Sequence, residues 1–286
     1  MDCEFFVCDD HPMYVQRWRA GGHAAAVSMR PSIVLVHGGV HTGVCWTSCP
    51  DDRPGWAPRL AGQGWTVFVV DWPGVGRSSE TGPLLTSSAD AIVAGLAALV
   101  RQVGPVLLVG HSIGGAIAAN VMEVASEHVV GLISIAPAPH GNVVIDQPPV
   151  PEDQLMRFDE EAMQRFLCNA PRFPKDAVAH YRRSLCAMSP LVFNALGARN
   201  GSQALVIEDL EAVAGIPKLA IAGDHDQLVP TAMSLKVSEA LGASHVVVGR
   251  DWGLAGFGHM IPIEVGSEEI LERALGWFAD AAGKSG

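Results

Sequence analysis

The chain has 286 residues, 49% of them hydrophobic, with a net charge of −11 and six cysteines. That length and apolar content can bury a large core, while Lys and Arg never cluster beyond pairs such as Arg182-Arg183, which excludes the basic footprint needed for nucleic-acid phosphates. The longest apolar runs, such as AIVAGLAALV at 91–100, reach about half the length needed to span a bilayer, and the acidic start MDCEFFVCDDHPMY is unlike the positive region of a secretory signal, so a cytoplasmic protein with no membrane partner is expected.

Residues 3–8 and 13–19 are rich in aromatic and β-branched side chains, are separated by DDHP, and predict an opening antiparallel hairpin. The runs SIVLVHG (32–38), WTVFVVD (65–71), PVLLVGH (105–111) and VVGLISIAP (129–137) are continuously apolar, as strands covered on both faces of a parallel sheet must be. Helical spacing of apolar residues over 86–102 and 113–126 separates the last three, the alternation expected of right-handed βαβ crossovers. Prolines break NVVIDQPPVPEDQ (142–154), and amphipathic helices are predicted over 152–168, 174–188 and 190–198. IPKLAIAGD (216–224) resumes the sheet, ALGASHVVVGR (240–250) supplies one more strand, and 267–281 a last helix opening with Ser-Glu-Glu. The pattern predicts an α/β fold with a mostly parallel central sheet and flanking helices. Its core comprises 1–137 and 217–286, and a helical cap is inserted over 138–216, a stretch too long for an ordinary connection.

GHSIG (110–114) places Ser112 between an apolar strand and a helix. A sharp turn there lifts the hydroxyl above the strand end, and small residues at 110 and 114 avoid clashes with neighbouring backbone, as in a nucleophile elbow. A serine hydroxyl needs a base to take its proton and a carboxylate to fix that base's tautomer. Of eleven histidines, His259 in the glycine-flanked loop GFGHM (256–260) has the best position, because loops after parallel strands gather where Ser112 stands. His23, His128 and His245 are expected to be solvated or packed, and His111 to pack the elbow. AGDHDQLVP (222–230) offers two acids, Asp224 and Asp226. One orients the histidine and the other bonds backbone amides, and spacing alone leaves open which does which. An oxyanion needs backbone N–H donors. Ile113 supplies one, and HGGVH (37–41) the second, through Gly39 or Val40.

The motifs HGGV, DWPGVGRS (71–78), GHSIGG, GDHDQLVP and GFGHM, in that order, resemble the α/β-hydrolase superfamily, whose nucleophile, acid and histidine follow one another along the chain. The resemblance implies Ser112 as nucleophile, Asp226 as acid and His259 as base. A serine at the elbow argues against haloalkane dehalogenases and epoxide hydrolases of this fold, which use an aspartate there. The insert CWTSCPDDRPGW (45–56) resembles a subgroup of bacterial esterases.

The expected function is hydrolysis of a carboxylic ester, a small apolar acyl substrate, through an acyl-enzyme with no metal and no cofactor. The alternatives are other chemistry on the same triad (carbon–carbon bond hydrolysis, acyl transfer or cyanohydrin cleavage) and a binding protein that keeps the fold without catalysis. A homodimer stays open. Trp46, Trp56, Met156, Phe158, Phe166 and Met188 are candidates to line an apolar pocket, and His41 and His140 to touch substrate. The cysteines are expected as buried free thiols, with a Cys45–Cys49 disulfide the one pairing to watch.

Overall fold

The protein is described by a computed structural model over residues 2–6, 12–19, 30–197 and 204–283. β1 (Asp2–Phe6) and β2 (Met13–Trp18) form the expected antiparallel pair. β3 (Ser32–Val36) is followed by two short helices, α1 (Val44–Thr47) and α2 (Trp56–Gly62), and then by β4 (Val67–Asp71). α3 (Ala89–Val103) leads into β5 (Val106–His111), α4 (Ile113–Val124) and β6 (Val129–Ile135). Three short helices follow outside the sheet, α5 (Glu160–Phe166), α6 (Val178–Ser184) and α7 (Pro190–Asn194). The chain re-enters the sheet at β7 (Lys218–Ala222) and continues through α8 (Thr231–Leu241), β8 (Ser244–Val247), α9 (Val248–Trp252) and α10 (Ser267–Ala282).

The eight strands form one sheet in the order β1-β2-β4-β3-β5-β6-β7-β8. β2 joins β4 antiparallel, and every pair from β4 to β8 is parallel. β4, β5 and β7 are buried at every position, which explains their unbroken apolar sequence: helices cover both faces. α3 starts where the Ser88 side chain accepts the Ala91 N–H and turns Ile92, Leu96, Leu99 and Val100 inward. α4 is buried continuously from Ile113 to Met122, so its N-terminus is held rigidly at the C-terminal end of the central strand β5.

The segment between β6 and β7 departs from the sequence reading. The helix predicted over 152–168 begins only at Glu160, where Asp159 accepts the Ala162 N–H. Upstream of it, Met156 exchanges both backbone hydrogen bonds with Met188, at 2.9 and 3.0 Å, a non-local pairing that outcompetes local helix. The predicted 174–188 helix contracts to α6 after a 3₁₀ turn over Lys175–Ala177, and the 190–198 helix to α7, residue 198 lying outside the described residues. α10 opens with Ser267-Glu268-Glu269, as read, after Gly266 at φ 87°, and the Ser267 hydroxyl accepts the Trp56 indole N–H and donates to the Pro262 carbonyl.

Cys45, Cys49, Cys168 and Cys186 are free thiols, the first three buried. No Cys45–Cys49 disulfide forms, and burial pushes Cys49 up to about 11. The side chains of Cys3 and Cys8, and His23, lie outside the described residues. No helix among the described residues is long and apolar enough to cross a membrane.

Candidate active site

Ser112 stands between β5 and α4 at φ 54°, ψ −122°, a conformation that a non-glycine residue holds only where its surroundings impose it. The imposition comes from both flanks. A Cβ at Gly110 would meet the Gly114 carbonyl oxygen at 2.4 Å, and one at Gly114 the His37 carbonyl oxygen at 2.3 Å, so the glycines at these two places let the turn close against β3. The Ser112 N–H donates to Ile135 O at 2.8 Å, which ties the turn to β6 as well.

The expected base and acid arrive on the loops after α9 and β7. His259 Nε2 lies 3.0 Å from Ser112 Oγ, and His259 Nδ1 lies 2.9 Å from Asp226 Oδ2. Asp226 can only accept, so Nδ1 carries the proton and Nε2 offers its lone pair to the serine hydroxyl. All three residues are buried. The choice between the two aspartates that spacing left open resolves geometrically. Asp226 faces the imidazole and with Oδ1 also accepts the Leu228 and Val229 N–H groups. Asp224 accepts the N–H groups of Gly256 and Phe257, at the root of the His259 loop.

Three further imidazoles surround this line. His111 Nε2–H donates to the His259 carbonyl oxygen at 2.9 Å. His41 Nδ1–H donates to Gly39 O and its Nε2 accepts the Tyr181 hydroxyl, both at 2.7 Å. His37 stacks on Trp72 with centroids 4.2 Å apart. Burial lowers all three, His37 to about 4, His41 to about 3 and His111 well below the ordinary histidine value. Of these four rings, His259 alone is hydrogen-bonded to a carboxylate.

Gly39 and Ile113 both border the cavity beside Ser112. A Cβ at Gly39 would meet Ile113 Cδ1 at 2.8 Å and Met188 Sδ at 2.7 Å, so the ends of these two side chains lie directly against the Gly39 backbone. The Ile113 N–H opens α4, where unpaired amides and the helix dipole favour negative charge. The cavity has a volume of about 800 Å³, and Met156, Phe158, Phe166 and Met188 are among its lining residues. Trp46 and Trp56 are not part of it. They pack on each other in the core with centroids 5.5 Å apart. His41 reaches the cavity, whereas His140 is turned away onto Asn142 and the Val237 carbonyl. Among the described residues, and histidines aside, the charged lining residues are Arg157 and Lys236.

The alpha/beta hydrolase family model matches residues 33–264. The chain belongs to this family. Among curated relatives, it is 28% identical over 231 residues to a pimeloyl-[acyl-carrier protein] methyl ester esterase of Aeromonas salmonicida, covering 76% of this chain and 86% of that protein. The corresponding esterase of Sodalis glossinidius is also 28% identical over 231 residues, covering 76% and 83%. Among solved structures, a thermophilic esterase from Thermogutta terrifontis superposes with a TM-score of 0.65 at 18% identity, covering 95% of each chain.

Within this α/β hydrolase, sequence reasoning missed two residues beside the site. Tyr181 orients His41 from α6. Glu264, fully buried, accepts the Gly258 N–H with Oε2 at 2.8 Å. Neither carries a local signal: a tyrosine in an amphipathic helix and a glutamate in MIPIEV read as ordinary surface chemistry.

Proposed function

We propose that the protein is a serine hydrolase that cleaves carboxylic esters of apolar acyl groups through an acyl-enzyme. Ser112 Oγ attacks the ester carbonyl carbon while His259 Nε2 takes its proton, and Asp226 stabilises the imidazolium that results. The Gly39 and Ile113 N–H groups receive the oxyanion, each worth roughly 3–4 kcal/mol by removal. Collapse breaks the bond to the alcohol oxygen, which leaves with the proton from His259. Water then attacks the acyl-serine by the same route, and acid and serine are released.

The observation that carries this reading is the unbroken line of contacts from Asp226 through His259 to Ser112, at 2.9 and 3.0 Å. The esterase names of the relatives support the bond type. The apolar cavity supports the acyl part, and its two cationic lining residues favour chains with an anionic end. Residues 138–216 act as a cap that chooses the substrate, since Met156, Phe158, Phe166 and Met188 all come from it. Kinetics of Ser112→Ala test the proposal. Turnover of an acyl ester should fall by at least about 10³-fold, towards what binding and the oxyanion donors alone supply. A folded variant with wild-type turnover would end the reading.

A further inference from the structure

Beyond the three proposed reacting groups and His111, a buried acidic side chain touches the His259 loop and takes no part in the steps above. Glu264 is 0% exposed. Its Oε2 accepts the N–H of Gly258, the residue immediately before His259, while its Oε1 is buried with no hydrogen-bond partner. The Oδ1 of Asn169 is likewise buried and unpartnered, and the Asn169 amide is fixed in that orientation because Nδ2 donates to the His225 carbonyl at 2.9 Å. Both orphan oxygens border one point. A Cβ on Gly258 would stand 3.1 Å from Glu264 Oε1 and 3.5 Å from Asn169 Oδ1.

We propose that Glu264 is a positioning residue for the base, its neutral carboxyl clamping the Gly258–His259 peptide so that the imidazole stays in line between Asp226 and Ser112. The inference rests on the serine-hydrolase reading. Two buried acceptors without a donor are costly, and of this pair only the carboxyl can acquire a proton and turn one acceptor into a donor. A neutral acid keeps a carbonyl oxygen for the Gly258 N–H and directs its O–H towards the Asn169 side. It also adds no second negative charge behind Asp226.

The surroundings agree. Burial pushes Glu264 up to about 8, outweighing the opposing Gly258 N–H bond; the charge of Asp226 adds a smaller upward push, and the Met260 N–H and Lys175 smaller downward ones. The other ionisable groups around it do not reverse this. Cys168 and Tyr181, which interact with it, are both raised by burial and so bring no charge of their own. Arg53 donates to the backbone carbonyls of Ile263 and Glu264, and Arg172 to the carbonyl of Val265, so both bind the main chain of the segment. The glutamate is thus enclosed by a segment pinned on either side, with its head group on the peptide that carries the base.

The test compares Glu264→Gln, an isostere of the neutral acid, with Glu264→Ala, reading kcat and KM on an ester and the rate at which a fluorophosphonate labels Ser112. Glu264→Ala should lower kcat and the labelling rate together by about 10- to 100-fold, the scale of a small misplacement of a reacting group, with KM within about twofold. Glu264→Gln should restore both to within about threefold of wild type, because the amide supplies the same acceptor and donor. Glu264→Gln should also be more stable than wild type by a margin that widens from pH 6 to 8.5. If Glu264→Ala fails to fold, the Gln variant decides alone. A Gln variant as impaired as Ala, an Ala variant with unchanged kcat, or a stability margin that does not grow with pH overturns the proposal. Labelling of the wild type separates the two readings: an unlabelled Ser112 defeats the serine-hydrolase reading and this inference with it, whereas a labelled wild type with an unaffected Ala variant defeats this inference alone.

Discussion

His111 donates from Nε2 to the main-chain oxygen of His259 at 2.9 Å, so the residue preceding the proposed nucleophile anchors the peptide of the proposed base. The bond spans 148 positions of sequence and fixes the spacing between the two loops independently of the Ser112–His259 contact itself. It also settles the His111 tautomer, leaving Nδ1 as a bare lone pair against Gly38, where a Cβ would come within 2.8 Å.

His111→Ala is therefore expected to lower kcat about tenfold or more through loss of alignment, and to destabilise the fold by about 1–3 kcal/mol by leaving the His259 carbonyl unpaired. Steady-state kinetics and urea titration of the same sample check both parts. Unchanged kcat with lowered stability would reduce His111 to packing alone.

The two aspartates should separate by effect. Asp226→Asn removes the charge that holds the Nδ1–H tautomer and should lower kcat about 10⁴-fold. Asp224→Asn acts on the Gly256 and Phe257 amides, so it should cost about 1–3 kcal/mol of stability and less than about tenfold in kcat. Parallel kinetics and thermal melts of the two variants make the comparison.

Stability should depend on pH with a sign set by the buried imidazoles. His37, His41 and His111 are held below the ordinary value of 6.5 by burial, so between about pH 4 and 6.5 the folded state binds fewer protons than the unfolded chain. Their contribution is complete above 6.5 and is lost on acidification, at up to about 1.4 kcal/mol per pH unit for each ring. Glu264, raised to about 8, has the opposite sign: the folded state binds the extra proton, and stability declines as pH rises from the ordinary carboxylate range through 8. Urea midpoints measured from pH 4.5 to 9 should peak near 6.5 to 7 and fall more steeply on the acid side. A midpoint that rises on acidification would contradict the neutral histidine cluster.

Substrate selection should reside in the cavity wall. Phe158→Ala and Met188→Ala are expected to change the ratio of kcat/KM between long and short acyl esters by about 10- to 200-fold, and Arg157→Ala and Lys236→Ala to reduce preference for chains with an anionic end. Trp46→Ala, outside the cavity, should leave those ratios alone while destabilising the core by about 3–5 kcal/mol. An ester panel run across the five variants distinguishes wall from core.

Much of this was legible in the sequence because its causes are local or periodic. The doubly covered strands had to be continuously apolar, and the elbow at Ser112 had to be flanked by small residues, so both appear as patterns in the chain. Strand ends were less legible: the run at 216–224 narrows to Lys218–Ala222, because Pro217 has no N–H for the ladder and Asp224 already lies in the following turn. What stayed hidden depends on partners far away in sequence. The Met156–Met188 bridge replaces a predicted helix. Trp46 and Trp56 choose each other over the cavity, and Glu264 turns inward to Gly258 although glutamate ordinarily prefers water. The same limit left Asp224 and Asp226 undecided until the loop of His259 was placed beside them.

The most direct measurement is capture of the covalent intermediate. The enzyme is mixed with an activated acyl ester, quenched in acid within the first turnover, and its peptides are weighed by mass spectrometry. The account predicts the acyl mass on the peptide containing Ser112, appearing as fast as the first alcohol is released, and absent from Ser112→Ala. Rapid turnover with no acylated peptide, or acylation at another residue, would contradict it.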